Sequence, residues 1–145
     1  MKNLFSILFL FIVFISMNSS LKAQEAQGNV FIVTNYERAF PEDGSAGELD
    51  SLTTLLANTI YGSDNEYVVS QKVLQHWWGH NNRDFIQVVE VKSWDDVIKA
   101  NQRATELFKQ KWSTEEEREN FNKANGKYFT GKHSDEIYRQ VVFGK

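Results

Sequence analysis

Cysteine is absent from all 145 residues, proline occurs once, at Pro41, and histidine only at His76, His80 and His133. Without cysteine there is no disulfide framework, no thiol nucleophile and no lipid carried on an N-terminal Cys, so packing or oligomerisation must supply the stability that small exported domains often draw from disulfides. A single proline and the lack of any low-complexity run argue against a disordered linker. There is no internal repeat, no Gly-x-Ser-x-Gly elbow and no phosphate-cradling glycine loop. Basic residues are not clustered, and 16 Lys and Arg stand against 19 Asp and Glu for a formal charge of −3. A mildly acidic chain of this kind is a poor nucleic-acid binder.

One long apolar run is present, at the start. Lys2 is followed by residues 4–17, apolar except for two serines, and then by the polar stretch 18–23. The run is shorter than the roughly 20 apolar residues a spanning helix needs. It predicts a signal peptide, residues 1–23, cleaved after Ala23 and leaving 24–145 as one domain that is exported, periplasmic or secreted, and free of the membrane. That length suits one hydrophobic core.

The rest of the chain changes period in an ordered way. Residues 29–37 alternate as a strand, and Pro41 to Ser45 is turn chemistry. Leu49, Leu52, Leu55, Leu56 and Ile60 form a helical stripe ended by Gly62. Residues 66–78 predict a long strand, Gly79 to Asn82 a hairpin loop and 84–92 the returning strand. Ser93 with Asp96 predicts a capping box for a helix carrying Trp94, Val97, Ile98, Ala104, Phe108 and Trp112 on one face. Ser113 with Glu116 repeats that signal for a shorter, charged helix ending near Gly126. A loop holding Gly131 then leads to a last strand, 136–143.

Strand, helix, strand, strand, helix, strand is the split βαβ pattern, so the fold class is α+β: a ferredoxin-like βαββαβ chain with a four-stranded antiparallel sheet and helices on one face. The strands are too apolar for the other face to stand in water, and a second copy is the cheapest cover, which predicts a homodimer. The order, the length and the long second strand resemble the dimeric α/β-barrel superfamily, which includes antibiotic-biosynthesis-type monooxygenases, haem-degrading monooxygenases and stress-responsive barrel proteins. The stretch Lys72-Val73-Leu74-Gln75-His76-Trp77-Trp78-Gly79, with Arg83-Asp84-Phe85 and Ser93-Trp94, is similar to small uncharacterised exported bacterial proteins. The resemblance implies two sheets packed face to face with helices outside.

Strand parity groups Asn35, His76, Trp78, Glu90 and Tyr138 as residues that can line one cavity, polar groups among aromatics as a small-molecule site requires. On the same parity His76 and Trp78 face the barrel interior and Trp77 faces the helices. The alternative is an ordinary sheet with polar residues at its edges. His76 and His80 are four apart, but at a strand end and hairpin that spacing fixes no metal geometry, and no metal site is assigned. The resemblance to haem-degrading enzymes places Asn35 at their first-strand Asn. Trp94 falls near their Trp, and no His stands between Trp94 and Trp112 to be an axial ligand, which counts against haem. No cofactor is called for. Three readings stay open: a ligand-binding barrel, a cofactor-independent monooxygenase-like enzyme, and a protein-interaction module.

Overall fold

The computed structural model describes residues 28–142; the predicted leader and Phe143 lie outside the described residues. Contacts gather Asn29–Tyr138 into one compact body, and Gly28 with Arg139–Val142 fall outside it. The elements run β1 (Val30–Arg38), α1 (Ala46–Tyr61), β2 (Val68–Gln75), β3 (Asp84–Val91), α2 (Trp94–Lys111), α3 (Glu115–Gly126) and β4 (Phe129–Arg139). The sheet order is β2-β3-β1-β4, so the two strands joined by the hairpin lie side by side while β1 separates β3 from β4. This is the ferredoxin-like arrangement, with α3 added between α2 and β4.

Register assigns the two faces. Val30 pairs with Val91, Ile32 with Val89, Thr34 with Gln87 and Tyr36 with Phe85, all on the side covered by the helices. Phe31, Val33, Asn35 and Glu37 pair with Glu90, Val88, Ile86 and Asp84 on the opposite side. On β2, Gln71, Val73 and Gln75 fall on the helix side, and Ser70, Lys72 and Leu74 on the other. A bulge between Val68 and Ser70 keeps Val68 on the covered side. The core is Val30, Val89, Val91, Val97 and Ala100, with Ile32, Tyr61, Tyr67 and Val68 packed against it. A second apolar cluster, Phe108, Trp112 and Phe121, joins α2 to α3, the Trp112 and Phe121 rings being 4.1 Å apart.

The helix ends differ in detail from the sequence expectation. Ser45 caps α1, its hydroxyl accepting the Glu48 N–H at 3.1 Å. Gly62 does end α1, yet not through a left-handed backbone: a Cβ there would stand 2.2 Å from the Asn58 carbonyl oxygen, so the close approach is what requires glycine. The predicted Ser93 box does not form, because the Ser93 hydroxyl donates to the Asp96 carboxylate at 2.8 Å instead of accepting a backbone N–H. The predicted Ser113–Glu116 box is displaced by one residue: Thr114 and Glu117 form it, with Glu117 N–H to Thr114 Oγ1 at 3.1 Å and Thr114 N–H to Glu117 Oε2 at 3.0 Å.

Two strand expectations are corrected. The second strand is Val68–Gln75, shorter than 66–78 at both ends: a turn precedes it, with the Val68 N–H donating to the Asn65 carbonyl at 3.1 Å, and the residues after Gln75 enter the loop that holds Gly79 at φ +134. In that loop Asn81 accepts the Arg83 N–H at 3.1 Å and donates to Asp84 at 2.5 Å. The last strand begins at Phe129, seven residues before the expected 136, and it contains Gly131. Almost every β4 side chain is exposed, so the strand carries no apolar alternation to read.

Candidate functional site

Where β4 leaves α3, the sheet and α1 do not close on each other. A cavity of about 210 Å³ remains there, lined by Tyr36 from β1, Thr53, Leu56 and Ala57 from α1, Val73 from β2, Phe85 and Gln87 from β3, Asn125 from α3, and Phe129, Gly131 and His133 from β4. Its volume is that of about seven waters at ~30 Å³ each. The helical stripe of α1 and the strand alternation bring these eleven positions, far apart in sequence, to one place.

One wall is aromatic. Tyr36, Phe85 and Phe129 pack in tilted or edge-on pairs 5.2 to 6.3 Å apart, the geometry that ring quadrupoles favour. The rest mixes aliphatic side chains with a hydroxyl, two amides and an imidazole. Thr53 Oγ1 is buried and has no hydrogen-bond partner among the described residues. No Asp, Glu, Lys or Arg belongs to the lining. Gly131 has φ +84 and nothing within 4 Å of an added Cβ, so the strand opens at that point without a side chain to fill the gap.

Around the cavity mouth, His133 Nε2 lies 3.4 Å from Asp135 Oδ2. Thr34 donates its hydroxyl to Asp135 Oδ1 at 2.8 Å. The Tyr36 ring lies 5.8 Å from the His133 ring. Burial, and then the Asp135 charge, push the Tyr36 phenol above the ordinary tyrosine value, against a smaller opposing effect of its hydrogen bond with Thr34. Tyr61 is pushed up to about 12, first by burial and then by Tyr36 and Asp135.

A larger depression, about 870 Å³, runs between α1 and α2 past Asp50, Asn58, Gln110 and Lys111. It is shallow and open, and its Ser51 and Thr59 hydroxyls already donate their protons to the Gly47 and Leu55 carbonyls, at 2.8 and 2.7 Å. The smaller cavity is the more enclosed, with an aromatic wall and a few polar side chains among apolar ones.

The five residues grouped by parity lie elsewhere. Asn35 and Glu90 share the sheet face opposite the helices, but Asn35 pairs with Ile86 and Glu90 with Phe31, which separates them by four positions along the strands, roughly 13 Å. Glu90 is held there by Asn29 at 2.6 Å and Ser70 at 2.5 Å. Those two hydrogen bonds set its carboxyl below the usual range, burial opposing them. Tyr138 is half-exposed near the end of β4. His76 and Trp78 fall in the loop after β2, beyond the last paired residue. Trp77 does not face the helices: it is 97% exposed and Trp78 91%, because the strand ends before either. Sequence reasoning missed Tyr36, Thr53, Gln87, Asn125 and His133. Reading 129–135 as a loop hid the β4 share of the lining, and the exposed residues of that stretch carry no alternation that would have shown it.

No protein-family profile matches the chain, and no curated protein matches it in sequence. Solved structures do match in fold. A nipsnap-family protein of unknown function from Agrobacterium tumefaciens aligns with a TM-score of 0.56 at 11% identity, covering 82% of this chain and 94% of its own. A protein from Bordetella bronchiseptica assigned to antibiotic biosynthesis monooxygenases gives 0.51 at 10% identity, covering 80% and 100%. SnoaB, a cofactor-independent oxygenase from Streptomyces nogalater, gives 0.50 at 10% identity, covering 79% and 95%. These are likenesses of fold, and they fall in the group that the sequence resembles.

Proposed function

We propose that this chain is an exported homodimer that binds a small, uncharged, mainly apolar molecule between α1 and the sheet. The observation that carries the reading is the 210 Å³ cavity itself, walled by Tyr36, Phe85 and Phe129 and with no Asp, Glu, Lys or Arg in its lining. The uncharged lining favours a neutral ligand, because a full charge in such a place is expensive without a counter-ion.

Export is supported by the apolar run and polar flank of residues 1–23. A second copy is supported by the sheet face that bears Phe31, Val33, Leu74, Ile86 and Val88 and no helix among the described residues. Closing that face over a partner would bury roughly 2,000 Å² or more in total. Asn35, Glu90 and Tyr138 would then lie between the copies, with His76 and Trp78 reaching beyond the sheet end.

A second reading, an enzyme working without a cofactor, as the oxygenase SnoaB is described, is favoured by the imidazole of His133 at the cavity mouth.

The test is ligand-dependent stabilisation of the mature protein by neutral one- and two-ring aromatics. A ligand at a hundredfold excess over its Kd adds about 2.7 kcal/mol. Ala57→Leu, which fills the cavity from α1, should abolish that gain while unfolding cooperatively. Stabilisation retained in Ala57→Leu would place binding elsewhere.

A further inference from the structure

We propose that one end of the sheet is a peripheral lipid-contact site, where Trp77, Trp78 and Phe40 enter the interface of an anionic bilayer and Arg38 meets its phosphates. No residue of the cavity lining takes part. Such a contact departs from the expectation of a mature chain free of the membrane, yet it needs no spanning segment. No helix among the described residues is long and apolar enough to be one.

Trp77 and Trp78 follow the last residue of β2 and are 97% and 91% exposed. Each indole offers roughly 150–250 Å² of contact area. Two side by side reach the size of apolar patch that marks an interaction site. Register brings a third ring to the same end of the sheet. Glu37 pairs with Asp84, and the Arg38 N–H donates to the Arg83 carbonyl at 2.8 Å, so the end of β1 lies beside the strand returning from the hairpin. Phe40, two residues on, is half-exposed, and the Arg38 and Arg83 guanidinium carbons stand 5.2 and 5.7 Å from its ring centre.

Charge selects the partner. Leu74 to Arg83 contains no Asp or Glu, in a chain that has 19. Arg83 is engaged, donating to the Arg38 carbonyl at 3.2 Å and lying 3.9 Å from Glu37. Arg38 has no carboxylate partner among the described residues, and its Nε is buried without a hydrogen-bond partner, so the protein leaves this cation unneutralised. The neighbouring carboxylates are occupied: Glu37 also takes Lys132 at 3.5 Å, Asp84 accepts the Asn81 amide at 2.5 Å, and Asp43 takes Lys127 at 3.5 Å. A phosphate complements such a guanidinium with charge-assisted hydrogen bonds. Indoles suit the same boundary, being apolar bodies with one N–H to donate. A protein partner grips a tryptophan in one orientation within a shaped pocket. Neither indole has a ring or cation contact among the described residues to fix such an orientation, and a fluid interface requires none.

The test is flotation of the mature protein with vesicles of mixed phosphatidylglycerol and phosphatidylcholine, against phosphatidylcholine alone, with acyl-brominated lipid to quench inserted indoles. The expected result is flotation with the anionic vesicles, weakened by salt, and quenching of the emission. Trp77→Ala and Trp78→Ala should each weaken partitioning about tenfold, as the loss of part of one indole's buried area implies. The double variant should not float, and Arg38→Gln should bring anionic binding down to the neutral level. Trp94→Ala, which removes an exposed indole on α2, should float as the parent does. Thermal unfolding shows first that each variant is folded. A folded parent that does not float, flotation that survives the double variant, or an equal loss in Trp94→Ala would overturn the proposal. So would a double variant that, without lipid, dissociates a dimer while the parent ignores vesicles, because the indoles would then be covered by a second copy.

Discussion

Asn65 donates its side-chain amide to the Ala100 carbonyl at 3.0 Å, and the same nitrogen reaches the Ile60 carbonyl at 2.8 Å. The turn after α1 is thereby tied to the middle of α2, and Asn65 is 1% exposed. Replacing it with Leu leaves the Ala100 carbonyl, which no other side chain reaches among the described bonds, without that donor. Asn65→Leu is expected to destabilise the domain by about 3 kcal/mol. Urea denaturation measures it, as a fall in midpoint with an unchanged slope.

The two capping serine and threonine positions should separate cleanly. Thr114 accepts a backbone N–H and belongs to a reciprocal box, whereas Ser93 makes no side-chain bond to the α2 backbone. Thr114→Ala should cost about 1 kcal/mol, and Ser93→Ala only a few tenths. Paired thermal denaturation curves decide it; equal losses would mean the Ser93–Asp96 contact caps α2 as well.

Glu90 links acid stability to the sheet face opposite the helices. Its hydrogen bonds with Asn29 and Ser70 hold the folded-state carboxyl below the ordinary value. The folded protein therefore binds this proton less readily than the unfolded chain. The stabilisation is complete above the unfolded carboxylate pKa and is lost as pH falls through the folded one. Glu90→Gln should flatten the acid side of the stability profile below about pH 5 and leave its slope near neutral pH unchanged. Denaturation midpoints across that range provide the check.

Trp77 and Trp78 make a different kind of prediction, because both are bare in the single chain. Trp77→Ala and Trp78→Ala should each change the unfolding free energy of a dilute, monomeric sample by no more than about 0.5 kcal/mol, the usual range for surface substitutions. A buried Trp would cost about 3–5 kcal/mol. If either loss reaches that size at micromolar concentration and shrinks on dilution, that indole is covered by a second copy. Sedimentation of the same samples reports the association directly.

The fold was legible because its signals are local and strong. The α1 stripe of Leu49, Leu52, Leu56 and Ile60 and the alternation of β3 around Phe85, Val89 and Val91 are patterns that burial imposes on sequence. β4 was legible only at its end, since an edge strand with exposed Thr130, Lys132, Ser134 and Glu136 has no burial to imprint. The site suffered from the same blind spot. Its lining depends on β4, and on which face of β1 meets the helices. Tyr36 and Asn35 are neighbours in sequence, and nothing in the alternation of 29–37 says that the tyrosine is inside. The one-residue shift from Ser113 to Thr114 as cap is of the same origin, two adjacent hydroxyls competing for one helix start.

The two rims of the sheet are defended in different ways. β2 carries a bulge between Val68 and Ser70 and an exposed Lys72, and β4 displays Lys132, His133, Asp135 and Glu136 in close succession. A foreign strand adding to either rim would have to bring its own side chains alongside those charges, or follow a kinked backbone. The hydrogen-bonding borders are thus poor templates for runaway strand addition, and in the proposed homodimer the second copy would cover the sheet face opposite the helices, a contact that closes and stops.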